Sequence, residues 1–458
     1  VLIVLTLILF TFSIRGSTNK RPIMRKLAYV TDNSFLNKTI INPYKSLLYA
    51  IYDWKIVNTE NKENPFGDTK LFWKENTVCE NIMKTAEGEK VKKPKQIFLV
   101  VMESYDFWPL QETYLPFKLS KNLLEISNKG ISFNRFFPAS ESTKNSLNSI
   151  VTGIPFCGVN QNSYSKYCSS IFTQIEKLGY TTNFFYGGLL SWANLGEFML
   201  NHGVDNQYSA VNAKTKSNNT IWGVDDEYLF ELVTEKLDSS DYSFNIILTT
   251  SYHPPYSVDV ISKGFKKNYI DSLPKEALKY YTGSMSFDEL SHLWYSDKCI
   301  GEFVNKAEKK FPNSIFLFTG DHYGRRFVNE NPNLFETSTV PFILYGNGIA
   351  DSTSNNPGSH IDIFPSLIEL IAPKGFKYFS FGESLFKTKN IGFGIQRIIT
   401  QKNIESYFNE QPIISFDIDQ LNDTTLHFSK NYIKYNRLQS LSWHYTVKGD
   451  TISEKKVN

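Results

Sequence analysis

Ile97-Phe98-Leu99-Val100-Val101-Met102-Glu103-Ser104 sets six consecutive apolar residues ahead of a carboxylate and a hydroxyl. An apolar run without alternation fits a strand covered on both faces of its sheet. Four further runs follow: Thr182 to Tyr186 (TNFFY), Phe244 to Thr249 (FNIILT), Ser314 to Phe318 (SIFLF) and Val340 to Tyr345 (VPFILY). Helical patterns fall between them, at Phe117 to Asn128, Ser170 to Leu178, Tyr228 to Leu237, Tyr295 to Lys309 and Ile363 to Ile371. Strands alternating with helices predict one large α/β domain around a mostly parallel central sheet, over residues 95–390. The tail, 391–458, contains strand-like pieces at Pro412 to Phe416 and Leu441 to Val447 and reads as a small antiparallel C-terminal appendage.

Composition bounds the rest. The chain has 458 residues, 41% hydrophobic and 21% charged, with 25 Gly and 18 Pro, which excludes a disordered or collagen-like chain. Lys and Arg number 49 against 46 Asp and Glu, and a net charge of +3 is too weak for a dedicated nucleic-acid binder. Among the four cysteines, Cys157 and Cys168 lie in one Gly/Asn/Ser/Tyr-rich stretch and are expected to close it as a disulfide.

Residues 1–14, VLIVLTLILFTFSI, are uncharged and contain no Gly or Pro, and no initiator Met precedes them. Fourteen residues are short of the roughly 20 that span a bilayer, so they read as the C-terminal part of a transmembrane helix that begins upstream. A signal-peptide core is the alternative, but no small-residue cleavage site follows. Residues 15–94, rich in Asn and Lys with a helical patch at Tyr44 to Trp54, read as a membrane-proximal linker. The flank Arg15, Lys20, Arg21, Arg25 and Lys26 would place that side of the membrane in the cytoplasm.

In open α/β sheets ligands bind beyond the carboxyl ends of the strands. There the sequence offers Glu103 and Ser104 after the first run, Asp321 and His322 after SIFLFTG, His253 after FNIILTTSY, and Gly187 and Gly188 after TNFFY. Two carboxylates and an imidazole at separate strand ends suit a divalent metal ion with mixed O and N donors, although each alone is as readily a helix or turn cap. Between the first two runs, Glu141-Ser142-Thr143-Lys144-Asn145-Ser146-Leu147 has the look of a helix N-terminus. Its positive dipole end and backbone N–H groups favour phosphate, and a hydroxyl there that also touched a metal would become a nucleophile. By itself the segment is an ordinary Ser/Thr cap.

The order of these motifs carries a resemblance. Glu103, then Thr143 opening a helix, then His253 in T-S-Y-H-P-P-Y, then F-T-G-D-H-Y-G and H-I-D-I-F-P-S-L-I-E-L, resembles the sulfatase-like branch of the alkaline phosphatase superfamily. Within it the sequence is most similar to the lipoteichoic acid synthase and phosphoethanolamine transferase group. The resemblance implies an alkaline phosphatase-like three-layer α/β/α fold and a metal-dependent transferase that moves phosphoglycerol or phosphoethanolamine from a phospholipid donor to an envelope glycan or lipid acceptor. It implies that Glu103, Thr143, Asp321 and His322 hold one divalent ion and that Thr143 is the nucleophile. It also implies that His253 contacts the transferred group or the leaving oxygen. A single His in this set favours Mn²⁺, with Zn²⁺ and Mg²⁺ as alternatives. Trp192, Asn194, Arg325 and His360 are further candidates for substrate contact. The group works outside the bacterial cytoplasmic membrane, against the sign of the basic flank.

The sequence also departs from the family. No C/S-x-P-x-R motif occurs, which disfavours sulfate-ester hydrolysis. After TNFFY the synthases carry an Asp and a Trp-Asn-Arg segment that binds glycerol phosphate, whereas here Gly187-Gly188-Leu189-Leu190-Ser191-Trp192-Ala193-Asn194-Leu195 has Leu189 in place of the Asp and no Arg. The further zinc-site histidine of the phosphoethanolamine transferases is replaced by Arg325, Arg326 and Phe327. A hydrolase that uses water as acceptor, and a catalytically silent envelope-binding protein, are the alternative readings.

Overall fold

Every residue of strand β1 (Gln96–Met102) is buried, because the two faces it presents are both covered by helices. The structure is a computed structural model that describes residues 2–15, 28, 31, 33–55, 63–161, 165–215, 222–324, 326–388, 391–408, 411–420, 422–424 and 430–452. Among these, seven more strands join β1 in the central sheet: β2 (Ile131–Phe133), β3 (Thr181–Tyr186), β4 (Asn206–Tyr208), β5 (Ser243–Leu248), β6 (Ser314–Gly320), β7 (Phe342–Gly346) and β8 (Ser352–Ser354). Their order is β8-β2-β7-β6-β1-β5-β3-β4. β1 pairs in parallel with β5 and β6, and β7 runs antiparallel to both of its neighbours. The sheet is therefore mostly parallel, as its unbroken apolar runs predicted.

Helices α1 (Leu2–Arg15), α2 (Ser34–Ile40) and α3 (Pro43–Lys55) precede the sheet. Flanking it are α4 (Lys121–Ser127), α5 (Thr143–Thr152), α6 (Ile171–Glu176), α7 (Leu195–Asn201), α8 (Asp226–Lys236), α9 (Phe287–Lys310) and α10 (Ile363–Ile371). The two-residue period of a strand divides the core between the faces. Ile97, Leu99 and Val101 pack with residues of α5, α6, α7 and α10, while Phe98, Val100 and Met102 pack with residues of α4, α8 and α9. Helix, sheet and helix form three layers.

The C-terminal region is a five-stranded antiparallel sheet, β9 (Gly392–Gly394), β10 (Arg397–Ile399), β11 (Asn403–Phe408), β12 (Gln411–Asp417) and β13 (Asn422–Thr424), followed by α11 (Lys430–Lys448). The strand expected at Pro412 to Phe416 lies in β12. Leu441 to Val447, expected as a strand, is helical instead: it lies in α11, whose buried residues run from Tyr435 through 438–443 to Tyr445 and include the apolar Tyr435, Leu438, Leu441 and Tyr445 at three- and four-residue steps.

The expected Cys157–Cys168 disulfide is not formed. Cys168 is joined to Cys79 across 89 residues, and Cys157 is a buried free thiol. The reason lies in packing. Val78 and Ile82 share a buried cluster with Tyr167, Leu438, Leu441 and Tyr445, which carries Cys79 to Cys168 with their Cα atoms 6.2 Å apart. Met83–Thr85 also pairs with Lys377–Phe379, so this part of the expected linker belongs to the packed body. Among the described residues no helix is long and apolar enough to cross a membrane; α1 has 14 residues, none buried. Lys20, Arg21, Arg25 and Lys26 lie outside the described residues.

Candidate active site and metal centre

Register brings the acidic residues together. Met102 at the end of β1 pairs with Gly320 at the end of β6, so the next residues, Glu103 and Asp321, emerge side by side at the carboxyl edge of the sheet. The approach is so close at Gly320 that a Cβ would lie 2.1 Å from the Tyr105 carbonyl oxygen, which only glycine avoids. Asp321 Oδ1 accepts the backbone N–H groups of Ser104 and His322, each at 2.7 Å. Its other oxygen, Oδ2, is buried without a hydrogen-bond partner and lies 3.5 Å from His322 Nε2. His322 Nδ1 faces the Tyr323 carbonyl at 2.8 Å and donates there, which turns the Nε2 lone pair toward the carboxylates. Glu103 Oε1 accepts from Ser104 Oγ at 2.7 Å.

Thr143 is the first residue of α5, with Ser142 at the N-cap. Burial of Leu147, Ile150 and Val151 seats the helix, and Gly153 ends it in the left-handed conformation, φ +68°. Ser146, also in this helix, is buried and bonds both to and from Ser140, so it braces the approach to Thr143. Thr143 Oγ1 donates to Glu103 Oε2 at 3.3 Å and lies 3.5 Å from His322 Nε2.

Glu103, Asp321 and His322 each offer a ligand atom, all within 4.8 Å of one another. The orphaned Asp321 Oδ2 and the inward Nε2 fit a divalent cation, and two carboxylates with one imidazole are a suitable donor set. The electrostatics agree. Burial, then the charge of Asp321, pushes the Glu103 carboxyl up, and a bound cation would offset both. Burial pulls His322 down, but Asp321 and Glu103 outweigh it and hold the ring above its ordinary value.

Above this cluster opens a cavity of about 650 Å³ lined by Thr143, Lys144, Trp192, Tyr252, His253, Tyr256, Glu289 and Arg326, among others. Trp192 and His253 therefore share the cavity with Glu103, Thr143 and His322; His253 packs against Trp222 with ring centroids 4.2 Å apart and planes tilted by 50°. Asn194 lines a separate cavity with Leu190 and Gln207. Arg325 lies outside the described residues, while its neighbour Arg326 bonds Glu289 through Nε at 3.1 Å. His360 does not line the cavity. It is buried behind the site, where Nδ1 accepts the Ala139 N–H at 3.2 Å and Nε2 donates to the Gly320 carbonyl at 2.9 Å. This position corrects its reading as a substrate contact: the turn Ser359 to Asp362 points the ring into the protein, and burial pushes its pKa down to about 3.

Sequence reasoning passed over Asp106 and Glu289. Asp106 Oδ1 accepts the Gly324 N–H at 2.6 Å and anchors the loop that follows His322; burial pushes its carboxyl up to about 8. Its signal was a carboxylate three residues beyond Glu103. Glu289 completes the N-terminal capping box of α9 with Ser286 and carries no recognisable site motif.

Comparison with known proteins gives the same outline. A family model for the sulfatases matches residues 95–372. A lipoteichoic acid synthase-like protein of Bacillus subtilis is 21% identical over 398 residues, covering 80% of this chain and 62% of its own. The lipoteichoic acid synthase of Staphylococcus aureus is 23% identical over 415 residues, covering 82% and 60%. The chain thus spans about three fifths of the length of these relatives. Among solved structures, a protein in the alkaline phosphatase superfamily from Vibrio parahaemolyticus superposes with a TM-score of 0.65 at 19% identity, over 86% of this chain and 96% of that one. A lipoteichoic acid synthase from Listeria monocytogenes superposes with a TM-score of 0.63 at 18% identity, over 81% and 95%. Both share the three-layer α/β/α fold.

Proposed function

Since the chain belongs to the sulfatase family, we propose that it is a metal-dependent phosphotransferase that moves a phospho-alcohol head group from a phospholipid to an envelope glycan or lipid. The head group in this reading is phosphoglycerol or phosphoethanolamine. The observation that carries it is the position of Thr143 Oγ1, at a helix N-terminus and within 3.5 Å of both Glu103 and His322. A hydroxyl so placed serves as a nucleophile rather than as a cap, and Ser142 already holds the cap position.

The residues divide the work as follows. Glu103, Asp321 and His322 would hold the ion, for which Mn²⁺ is the first choice and Zn²⁺ and Mg²⁺ the alternatives. Such an ion would lower the pKa of the Thr143 hydroxyl and neutralise phosphoryl oxygens. Thr143 passes its proton toward Glu103 Oε2, the acceptor it already faces, and attacks phosphorus. The bond from phosphorus to the diacylglycerol oxygen breaks, and His253, on the cavity wall, protonates that oxygen. The acceptor hydroxyl then gives its proton to His253 and attacks phosphorus, the bond from phosphorus to Thr143 Oγ1 breaks, and Glu103 returns the proton to that oxygen, restoring the threonine. The backbone N–H groups at the start of α5 and the side chain of Lys144 offset the charge of the phosphate.

Placement at the outer face of the bacterial cytoplasmic membrane belongs to the same reading. The Cys79–Cys168 disulfide supports an oxidising compartment, and the exposed apolar helix α1 supports membrane attachment. Turnover of a head-group-labelled phospholipid, with and without envelope glycan or lipid acceptors, tests the reading. Acceptor-dependent transfer of label supports it; acceptor-independent release of free label would make the protein a hydrolase, and no turnover would leave the silent fold.

A further inference from the structure

Helix α3, PYKSLLYAIYDWK, sets Tyr44, Leu47, Leu48, Ile51 and Trp54 three and four residues apart, which gathers them on one face. All five are exposed, and the helical period puts Ser46 on the opposite side. This surface continues into α1. Asn42 Nδ2 donates to the carbonyls of Ser13 and Ile14 at 2.7 and 2.9 Å, and the rings of Phe10 and Tyr44 meet edge to face with centroids 5.6 Å apart.

Two features identify what covers it. In α1, Thr6, Thr11 and Ser13 turn their hydroxyls back onto the carbonyls of Leu2, Leu7 and Leu9, so the hydroxyls of the stretch before Arg15 are satisfied within the helix, as hydrocarbon requires. Residues 33–55 carry Lys38, Lys45 and Lys55 against a single acidic residue, and tyrosines and a tryptophan accompany the aliphatic face. Basic residues beside an aromatic and aliphatic stripe match the headgroup boundary of an anionic bilayer.

We propose that α3 lies in the interface of an anionic lipid bilayer, with Leu47, Leu48 and Ile51 against the acyl chains and Ser46 toward water. The segment before α2 is tied to the site as well: Ser191, which precedes the cavity residue Trp192, donates its hydroxyl to the Thr31 carbonyl. One short stretch of chain thus connects the bilayer contact to the cavity wall. This inference concerns the surface and stands apart from the transfer chemistry.

The test uses the full chain with an environment-sensitive NBD label on Leu48→Cys or, separately, on Ser46→Cys. Cys157 and Cys299 are buried and spared in the folded protein. Vesicles of phosphatidylcholine with phosphatidylglycerol should shift the emission at 48 to the blue and leave 46 at its aqueous value, with a weaker response to phosphatidylcholine alone. The triple change Leu47→Ser, Leu48→Ser, Ile51→Ser should lower vesicle partitioning at least about tenfold without altering turnover of a soluble phosphodiester. No change at either position, or equal burial of both, would overturn the proposal. So would a vesicle-independent shift at 48 that grows with protein concentration, which would mark a second copy as the occupant.

Discussion

Replacing His360 by Phe separates a brace from a ligand. The ring of His360 ties the Ala139 N–H, four residues before Thr143, to the Gly320 carbonyl, one residue before Asp321. Phe fits the apolar neighbourhood of Phe136, whose ring lies 5.9 Å away, but leaves the Ala139 N–H buried and unpaired, while the Gly320 carbonyl keeps the Thr319 hydroxyl at 3.2 Å. At about 1–3 kcal/mol for that one group, the loss is a sizeable share of a stability of about 5–15 kcal/mol. The pH dependence is specific. Burial lowers the folded-state pKa of His360 to about 3, against about 6.5 unfolded. Below pH 6.5 the unfolded chain therefore binds a proton that the folded chain does not, and stability from this residue, full above pH 6.5, is lost as pH falls toward 3. The gap between parent and variant should narrow by about 2 kcal/mol from pH 7 to pH 5. Urea denaturation at both pH values, with metal content measured on the same samples, checks this. An unchanged urea midpoint together with lost metal would make His360 a ligand and refute the reasoning.

Non-reducing peptide mapping should recover Cys79 linked to Cys168; a Cys157–Cys168 peptide would contradict the packing around Tyr445. Opening this 89-residue separation by Cys79→Ala should cost about 4–5 kcal/mol by the chain-entropy estimate, against a smaller effect for Cys157→Ala. Asp321→Asn keeps an oxygen for the N–H groups of Ser104 and His322 but puts an amide at Oδ2, so near-parental stability with at least about tenfold weaker Mn²⁺ binding is expected by titration calorimetry. Gly320→Ala should unfold at lower temperature and bind metal less well, since its Cβ displaces the Tyr105 carbonyl and with it the pairing that aligns Glu103 and Asp321.

The sheet and the convergence of Glu103, Asp321 and His322 were legible because they depend on short-range features. Five apolar runs correspond to strands, and residues at their carboxyl ends need only parallel neighbours in register to converge, as Met102 and Gly320 do. The direction of β7 was hidden, because a buried run reads the same in either orientation. Leu441 to Val447 misled because Leu441, Trp443, Tyr445 and Val447 alternate over a short window, while the helical period emerges only from Tyr435 onward. Cys79 was overlooked because pairing across 89 residues depends on which surfaces pack, not on spacing. His360 carried a plausible ligand atom, but only the fold reveals that Ala139 and Gly320 occupy both of its nitrogens.

The central claim is that Thr143 carries the transferred group, and mass spectrometry of the protein incubated with a phospholipid donor and Mn²⁺, without acceptor, tests it most directly. A phosphodiester-linked head group is expected on the peptide containing Thr143, absent in Thr143→Ala and discharged when acceptor is added. Thr143→Ser should retain part of the signal, since the oxygen stays while its rotamer is less restricted. Parental turnover in Thr143→Ala, or an adduct on another residue, would rule out Thr143 as the nucleophile.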